Sequence, residues 1–438
     1  MKKKVAVVTV AEAEEAAKLA DLPLEATVVM SEVAGAIKDG LLAFASATGL
    51  VVMHQMMEAE LTERIGPKHA KMPAAERVGN WHGTTTGSVV LGGRQVQASR
   101  PRARTTEGTE VDLATWKVFG SKDLLTSLVV ERMLAGVATR RHGEVAEPVG
   151  DELERRSKGL SKSAISRRFV KATETALAEL MARSLADLDV AVVMIDGLTV
   201  AGSCVVVALV ITKDGTKVPV GLWLGDTENT TVVTALLADL VSRGLSAQGG
   251  ILCVLDGAKA LAAGVKKVFG DQATVQRCTL HKRRNVVGHL PKELGGSVDK
   301  RLATIFSDPD ADRALAAAKR LATELQADHP DAAGSLREGL EDMFTVRRLG
   351  ITGALARTLT NTNCIESMIS IARRTTGRVT RWKDGSIKKR WIAAGMLEAE
   401  RSFRRVRGFK DMDKLVDAIH RQLNPVSDAT PEYDQAAA

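Results

Sequence analysis

The succession of apolar segments between Leu188 and Leu290 constrains the fold of this chain more than any other feature. Five short segments rich in valine, isoleucine and leucine alternate with turn signals and with longer segments of helical periodicity. The second and third segments are joined through Lys213-Asp214-Gly215, a strong hairpin signal. The predicted order is β-β-β-α-β-α-β-α, an antiparallel meander that continues into alternating strands and helices. We therefore predict an α/β fold with a mixed sheet.

Two of the predicted strands end in an Asp-Gly pair, Asp196-Gly197 and Asp256-Gly257. With a right-handed crossover these strands lie parallel and adjacent, so both carboxylates emerge at the same edge of the sheet. An Asx turn or a helix cap explains either pair taken alone. Both pairs together favour a metal site, because two adjacent carboxylates are costly unless a cation neutralises them. Hard oxygen ligands suit Mg²⁺.

A third acid would complete such a site, and the candidate is Glu366 in the segment TNTNCIESMISIARR. A helix cap explains the same residue, because Asn363 stands three positions before it. The apolar spacing that follows predicts a helix with Glu366 at its start, beside the apolar side. Three cations further along are placed to hold a phosphate backbone: Arg373, Arg374 and Arg378.

The 109 residues between Asp256 and Glu366 are too many for a simple loop. After Pro291 they contain alanine-rich, acidic segments of helical periodicity. We predict an all-helical insertion that splits the sheet domain.

The charge of the chain favours an anionic partner, with a formal net charge of +8 and a pI of about 9.3. The cations are concentrated in residues 155–173 and 373–390, while residues 306–345 are acidic. The segment 159–180 resembles the turn and second helix of a helix-turn-helix, sized for a major groove. An amphipathic helix with a solvated basic face is the alternative. The cations on that face are Lys162, Arg167, Arg168 and Lys171.

Several classes of protein are disfavoured by the composition. Aromatic residues make up only 3% of the chain, which argues against binding through stacked bases. Four cysteines in 438 residues do not make a disulfide scaffold. The longest apolar run, at 204–211, is far too short to span a bilayer. We expect a cytoplasmic protein without a membrane partner.

The segment VQRCTLHKRRNV at 275–286 places Cys278 three residues before His281. A structural zinc site needs four ligands, and no second pair stands at a convincing spacing. A Cys–His nucleophile pair has poor geometry across a strand-to-helix junction. The favoured interpretation is a local structural or DNA-backbone element that supports the site without binding the metal. Three following cations can meet phosphates: Lys282, Arg283 and Arg284.

Four ordered motifs together resemble the mutator-type transposases of bacterial insertion sequences: Asp196-Gly197, VLDGAKA at 254–260, the 275–286 segment and NTNCIES at 361–367. The resemblance covers roughly residues 120–410. It implies a ribonuclease-H-like fold interrupted by a helical insertion, with Asp196, Asp256 and Glu366 as a DDE triad. It also implies the Cys-x-x-His element at Cys278 and His281, and it matches Glu228 to a recurrent acid of the family.

The implied activity is that of a DNA transposase acting on terminal inverted repeats and target DNA, as a homodimer that associates with the nucleoid. Two Mg²⁺ ions ~3.5–4 Å apart would serve cleavage and strand transfer, and Mn²⁺ is expected to substitute. Two alternatives remain open. One is a ribonuclease-H-like nuclease or junction resolvase with the same triad and no joining step. The other is a non-enzymatic helix-turn-helix regulator whose acids serve as caps.

The predicted organisation follows from these features and runs as follows: a mainly helical region at 1–83, a β-ribbon-like region at 84–120, a helical DNA-binding region at 121–186, the catalytic domain at 187–291 and 358–425, the helical insertion at 292–357 and a flexible tail at 426–438.

Overall fold

The computed structural model of the chain describes residues 40–69, 73, 78–120, 122–147, 149–377 and 379–424. The chain forms two compact units, Met1–Ala172 and Thr173–Ala438. The first 39 residues of the predicted N-terminal region, the predicted tail and Arg378 lie outside the described residues.

A two-stranded sheet organises the first unit. Helix α1 (Leu41–Ile65) precedes strands β1 (Gly79–Leu91) and β2 (Arg94–Thr105), which pair antiparallel. Gly92 and Gly93 form the turn, both with positive φ, a conformation that glycine adopts without steric cost. The predicted ribbon is therefore present, and it begins five residues before residue 84. Three short helices follow: α2 (Ala114–Phe119), α3 (Lys122–Leu134) and α4 (Asp151–Arg156).

Helix α1 covers one face of this hairpin. Met53, Met57 and Leu61 recur every four residues, so they share one side of the helix. They are buried with Val89 and Ala98 of the two strands. This spacing fixes which face of α1 packs on the sheet.

Helix α5 (Lys162–Ala182) has the polarity that the sequence predicts. Gly159 has a φ of 95°, and the Ser161 hydroxyl accepts a hydrogen bond from the Ala164 N–H at 3.3 Å. Ile165 and Phe169 are buried. The predicted cations lie on the outer side, with Arg168 half-buried and three exposed: Lys162, Arg167 and Lys171.

A five-stranded mixed sheet forms the centre of the second unit, in the order β5-β4-β3-β6-β7. The first three strands form an antiparallel meander, and β3, β6 and β7 are parallel neighbours. The predicted strand order is confirmed. The strands are β3 (Val190–Val200), β4 (Ser203–Thr212), β5 (Lys217–Gly225), β6 (Ile251–Leu255) and β7 (Ala273–Arg277).

One boundary of the meander differs from the prediction. Strand β3 does not end at Asp196 but continues to Val200, because β4 still pairs with it as far as the turn, Val200 lying opposite Ser203. The predicted hairpin between β4 and β5 turns at residues 213–216, as expected.

Helices cover both faces of this sheet. Alternate residues of β3 face opposite layers, Val192 and Met194 in one core and Val193 and Ile195 in the other. Each fully buried apolar side chain of this size contributes roughly 1.5–3 kcal/mol, so a one-residue slip of register is strongly disfavoured. Helices α6 (Thr230–Ser242) and α7 (Lys259–Phe269) cover the second face.

The remaining helices fall into two groups. After α8 (Thr279–Gly288) come α9 (Lys292–Ser307), α10 (Ala311–Leu325) and α11 (Pro330–Arg337), which share an apolar core of their own with Val286, Leu340 and Phe344. The last group packs on the first face of the sheet and consists of α12 (Thr345–Arg348), α13 (Gly353–Leu359), α14 (Asn363–Thr376), α15 (Gly385–Ser402) and α16 (Met412–Leu423).

Within the described part of the chain, no helix combines the length and the apolar character needed to cross a bilayer.

Candidate active site

Parallel pairing of β3 with β6 places the two predicted aspartates side by side. Ile195 lies opposite Leu255 in the register, so Asp196 and Asp256 follow at the same level of the sheet. Arg277, the last residue of β7, lies opposite Leu255 on the other side. The parallel strands β6 and β7 end at this level, while β3 runs on beside β4. Asp196 is 9% exposed, so its carboxylate is close to buried.

Each aspartate is held through one carboxylate oxygen. The Gly197 N–H donates to Asp196 Oδ1 at 2.8 Å, and the Ala258 N–H donates to Asp256 Oδ1 at 2.8 Å. The hydrogen bond to Asp256 forms an Asx turn, which was the alternative interpretation of this Asp-Gly pair. The Asx turn uses only one of the two carboxylate oxygens. Among the described residues, neither Oδ2 atom has a hydrogen-bond or ion-pair partner.

Glu366 lies in the first turn of α14, which packs against β3. The Thr362 hydroxyl donates to Glu366 Oε1 at 2.6 Å, and the Glu366 N–H donates to the Thr362 carbonyl at 2.9 Å. Within the part of the chain that the structure describes, Glu366 Oε2 has no such partner. The third acid is therefore held in the same way as the two aspartates.

The predicted cap at Asn363 is wrong. The N-cap residue is Thr362, and Asn363 is the first helical residue. The Asn363 N–H donates to Asn361 Oδ1 at 2.9 Å. The helix begins one residue earlier than the capping pattern suggests, because the loop side chain of Asn361 satisfies this early N–H group.

Two acids of this site, Asp196 and Glu228, have raised pKa values. Burial, together with the Asp256 carboxylate, raises the pKa of Asp196 to about 7, and Glu366 contributes in the same direction. Burial and the Asp256 carboxylate also raise the pKa of Glu228. Burial removes the water that stabilises each charge, and the neighbouring carboxylate adds repulsion between like charges. A bound cation would reverse the effect.

Glu228, which precedes α6, belongs to the same cluster. Its carboxylate lies against the backbone of Gly197, where an added Cβ would overlap Glu228 Oε2. Glycine at position 197 thus leaves the space in which Glu228 approaches Asp196. The structure places Glu228 beside Gly197, next to Asp196, while its role stays a prediction.

Cys278 and His281 stand beside Glu366. Cys278 is fully buried at the junction of β7 and α8, and His281 Nδ1 lies 3.7 Å from Glu366 Oε1. The hydrogen bond with Cys278, and then the charges of Cys278, Glu366 and Asp256, raise the pKa of His281 to about 9. Burial would raise the pKa of Cys278, but hydrogen bonds from His281 and Thr362 outweigh it and lower that pKa. The imidazolium therefore places a positive charge beside the acids.

These three residues also meet the geometric minimum for a metal site. The ligand atoms of Cys278, His281 and Glu366 lie within 4.8 Å of one another, the one such group of three in the described ranges. The Thr362 hydroxyl, however, contacts all three of them. Asp196, Asp256 and Glu366 do not form so tight a group.

The three cations after His281 have different surroundings. Lys282 is 3% exposed and donates to the Ser335 carbonyl at 2.5 Å and the Glu338 carbonyl at 2.8 Å. The prediction that Lys282 meets phosphates is therefore wrong, because helix α11 covers its ammonium group. Burial lowers its pKa to about 8. Arg283 pairs with Asp299 at 2.6 Å, and Arg284 is exposed.

Arg277 is a residue of this region that sequence reasoning missed. Its guanidinium donates to the Gly257 carbonyl, directly after Asp256, and to the Glu338 carbonyl at 3.2 Å. Gly257 and Gly339 both have positive φ and leave room for the guanidinium. Gly257, the second residue of the pair Asp256-Gly257, was the one sequence signal for this close approach. Arg277 thereby ties the loop after Asp256 to the end of α11.

The cations predicted on α14, Arg373 and Arg374, are exposed. Arg378 lies outside the described residues.

Comparison with known proteins gives a consistent result. The family model for transposases of the Mutator family matches residues 24–405. The transposase for insertion sequence element IS256 in transposon Tn4001 of Staphylococcus aureus is 26% identical over 361 residues, covering 79% of this chain and 87% of the relative. The transposase for insertion sequence element ISRM5 of Rhizobium meliloti (strain 1021) is 25% identical over 377 residues, covering 85% and 91%. The transposase for insertion sequence element IS6120 of Mycolicibacterium smegmatis is 30% identical over 189 residues, covering 42% and 57%.

Proposed function

Because this chain belongs to the mutator family of transposases, we propose that it binds the terminal inverted repeats of an insertion sequence and cleaves and joins DNA strands with a DDE triad. The triad is Asp196, Asp256 and Glu366. One observation carries the assignment: each of the three carboxylates is held through one oxygen, while its other oxygen has no partner among the described residues.

This donor set fits a hard divalent cation. Carboxylate oxygens are the ligands that Mg²⁺ prefers. Burial and the Asp256 carboxylate raise the pKa of Asp196, and a bound cation would offset both effects. The three acids are more widely spaced than a single tight ligand group. We propose that they hold two ions between them, as in other two-metal sites of phosphoryl transfer. Mn²⁺, which accepts the same ligands, is expected to substitute.

Asp196, Asp256 and Glu366 would hold the two ions, which would activate a water or 3′-hydroxyl and stabilise the departing oxygen. Hydrogen bonds within the chain fix the three carboxylates that would bind the ions. The Gly197 and Ala258 N–H groups fix Asp196 and Asp256, and the Thr362 hydroxyl fixes Glu366. The same site serves cleavage and joining, because both are displacements at phosphorus.

The fold of the second unit supports a ribonuclease-H-like assignment with a helical insertion. The sheet has an antiparallel meander followed by two parallel strands, and the two aspartates lie on adjacent strands at one level. Helices α9 to α11, with their own core, separate β7 from the helix that carries Glu366. We infer that these helices are the insertion.

The proposed partner is double-stranded DNA, at the element ends and at the target, and a homodimer brings two ends together. The exposed cations of α5 and α14 support this proposal, because phosphate contacts provide most of the affinity for DNA. A junction resolvase with the same triad would cleave without joining. A regulator would act without metal.

The experiment that tests this function uses purified protein and DNA ends from the element. Wild type is expected to nick the ends and join a pre-cleaved 3′ end to target DNA, in Mg²⁺ and not in EDTA. Asp196→Asn, Asp256→Asn and Glu366→Gln are expected to bind the ends normally and to do neither reaction. Cleavage without joining by wild type would favour the resolvase. Retained cleavage in Asp256→Asn would overturn the triad.

A further inference from the structure

Thr362 is fully buried, and its hydroxyl contacts three functional groups at once. Oγ1 lies 2.6 Å from Glu366 Oε1, 3.3 Å from His281 Nδ1 and 3.3 Å from Cys278 Sγ. We propose that Thr362 is the positioning residue of Glu366, and that the Cys-x-x-His pair serves to hold the Thr362 hydroxyl. The proposal rests on the proposed function of Glu366 as a metal ligand.

The hydroxyl has one proton, so it can donate to only one of its three neighbours. The contact to Glu366 Oε1 is the shortest, as expected for a hydrogen bond to an ionised acceptor. Cys278 Sγ, at 3.3 Å, is a second acceptor within reach of the same proton, and a protonated His281 can donate through Nδ1 to a lone pair of Oγ1. The two neighbours therefore confine the hydroxyl beside the Glu366 carboxylate.

A glutamate side chain has three rotatable bonds and loses its freedom only where a partner fixes its end. Thr362 binds Glu366 twice, through its hydroxyl and through its carbonyl. The carbonyl receives the backbone N–H of Glu366, and the hydroxyl donates to Oε1. Among the described residues Oε2 has no such partner, and it is the oxygen that remains for a metal.

The same junction connects Glu366 to Asp256. The Cys278 N–H donates to the carbonyl of Leu255, the residue before Asp256, at 2.7 Å. The next residue, Thr279, donates through its N–H and its hydroxyl to the Thr360 carbonyl, at 2.9 and 3.0 Å. The start of α8 therefore holds the end of β6 on one side and the loop before α14 on the other.

This arrangement gives the Cys-x-x-His pair a role that needs no zinc. The Thr362 hydroxyl contacts Cys278 Sγ, His281 Nδ1 and Glu366 Oε1, so a metal bound by these three atoms would have to displace it. The pair acts on Glu366 through Thr362. Groups that orient a metal ligand in this way typically change metal affinity about 10–100-fold when removed.

The test compares Thr362→Val, which keeps the shape and removes the hydroxyl, with Thr362→Ser, which keeps the hydroxyl. Thr375→Val is the matched control, because Thr375 is buried in α14 and, among the described residues, its hydroxyl donates to the Ala372 carbonyl alone. Two quantities are measured on the full chain. One is Mn²⁺ binding without DNA, from the EPR signal of the free ion. The other is the Mg²⁺ concentration that gives half-maximal cleavage.

Thr362→Val is expected to weaken Mn²⁺ binding about 10–100-fold and to raise the half-maximal Mg²⁺ concentration by a similar factor. Thr362→Ser and Thr375→Val are expected to stay within a few-fold of wild type. Equal behaviour of Thr362→Val and Thr362→Ser in both measurements would overturn the proposal. If Thr362→Val does not fold, Thr362→Ala gives the same readouts with a smaller side chain.

Failure of this inference is distinct from failure of the proposed function. If wild type cleaves and Glu366→Gln does not, while Thr362→Val matches wild type, only the role of Thr362 is lost. If wild type neither binds Mn²⁺ nor cleaves the ends, the metal-dependent function itself is lost.

Discussion

At the scale of single residues, the site shows how a carboxylate can be held in place and still keep one oxygen free to bind a metal. A carboxylate has two oxygens, and a hydrogen bond to one of them restricts the side chain without filling the other. Asp196 and Asp256 take this bond from the backbone, while Glu366 takes it from the side chain of Thr362. The three acids therefore differ in what a single substitution can disturb. Only the bond to Glu366 can be removed by changing one neighbouring side chain.

Burial of the Asp196 carboxylate, together with the neighbouring acids, carries a cost in the metal-free protein, and Asp196→Asn is expected to remove it. The folded-state pKa of Asp196, about 7, lies above the ordinary value of 3.8. Between these pH values the folded protein binds more protons than the unfolded chain, so stability falls as pH rises. Above pH 7 the full cost, roughly 4 kcal/mol, is present, and below pH 4 it is absent.

Melting temperatures in EDTA check this expectation. Asp196→Asn is expected to melt several degrees above wild type at pH 8, with the difference disappearing towards pH 4. Added Mn²⁺ is expected to stabilise wild type and not the variant. Identical melting temperatures at pH 8 in EDTA would contradict the account of the cluster.

At the scale of elements, the sequence was informative wherever local patterns decide the structure. Continuous apolar runs and the Lys213-Asp214-Gly215 turn were sufficient for the strand order, because a strand buried on both faces leaves a continuous apolar run. The adjacency of Asp196 and Asp256 followed from that order. The position at which β3 ends could not be predicted, because it is set by pairing with β4 and not by the residues of β3.

What the sequence could not predict depends on contacts between distant segments. Lys282 looks like an exposed cation within its own helix, and it is buried only because carbonyls 53 and 56 residues later receive its ammonium group. Thr362 is an ordinary loop threonine until the chain brings Cys278 to it from 84 residues earlier. No periodicity or spacing encodes such pairs.

The contact of Arg277 with both the Asp256 loop and the end of α11 predicts a coupling between these elements. Arg277→Met removes both hydrogen bonds to the Gly257 and Glu338 carbonyls. We expect a loss of about 1–3 kcal/mol of stability, since two carbonyls lose a charged donor. We also expect at least about a tenfold loss of cleavage, because the position of Asp256 loosens.

The measurement pairs urea unfolding with cleavage of DNA ends. Arg313→Met is the control, because Arg313 is an exposed arginine of α10 that pairs with Asp308. If Arg277→Met cleaves as fast as the control, then the Arg277 contacts do not position the Asp256 loop.

At the scale of the whole molecule, charge is divided between regions of the chain. Residues 155–173 and 373–390 are basic, and the helices within 306–345 are acidic. The negative DNA backbone attracts the two basic segments and repels the acidic helices. We therefore expect the DNA ends to contact the basic faces and to avoid the acidic helices.

Replacement of Arg167 and Arg168 by alanine tests this division. The double variant is expected to bind DNA ends more weakly and to lose up to about 1.8 from the slope of log affinity against log salt, since each phosphate contact contributes about 0.9. The control is Arg301→Ala plus Arg313→Ala, in helices α9 and α10. An unchanged affinity and slope in the first variant would move end recognition to another part of the chain.

The most direct test of the central claim is transposition itself. A marker is placed between the DNA ends that flank this gene, the protein is supplied in trans, and end-to-end junctions and new insertions are sequenced. Wild type is expected to give both products and Asp256→Asn neither, with the variant still bound to the ends. Junctions formed equally by both proteins would contradict a catalytic role for Asp256, and bound ends without junctions from wild type would contradict the transposase activity.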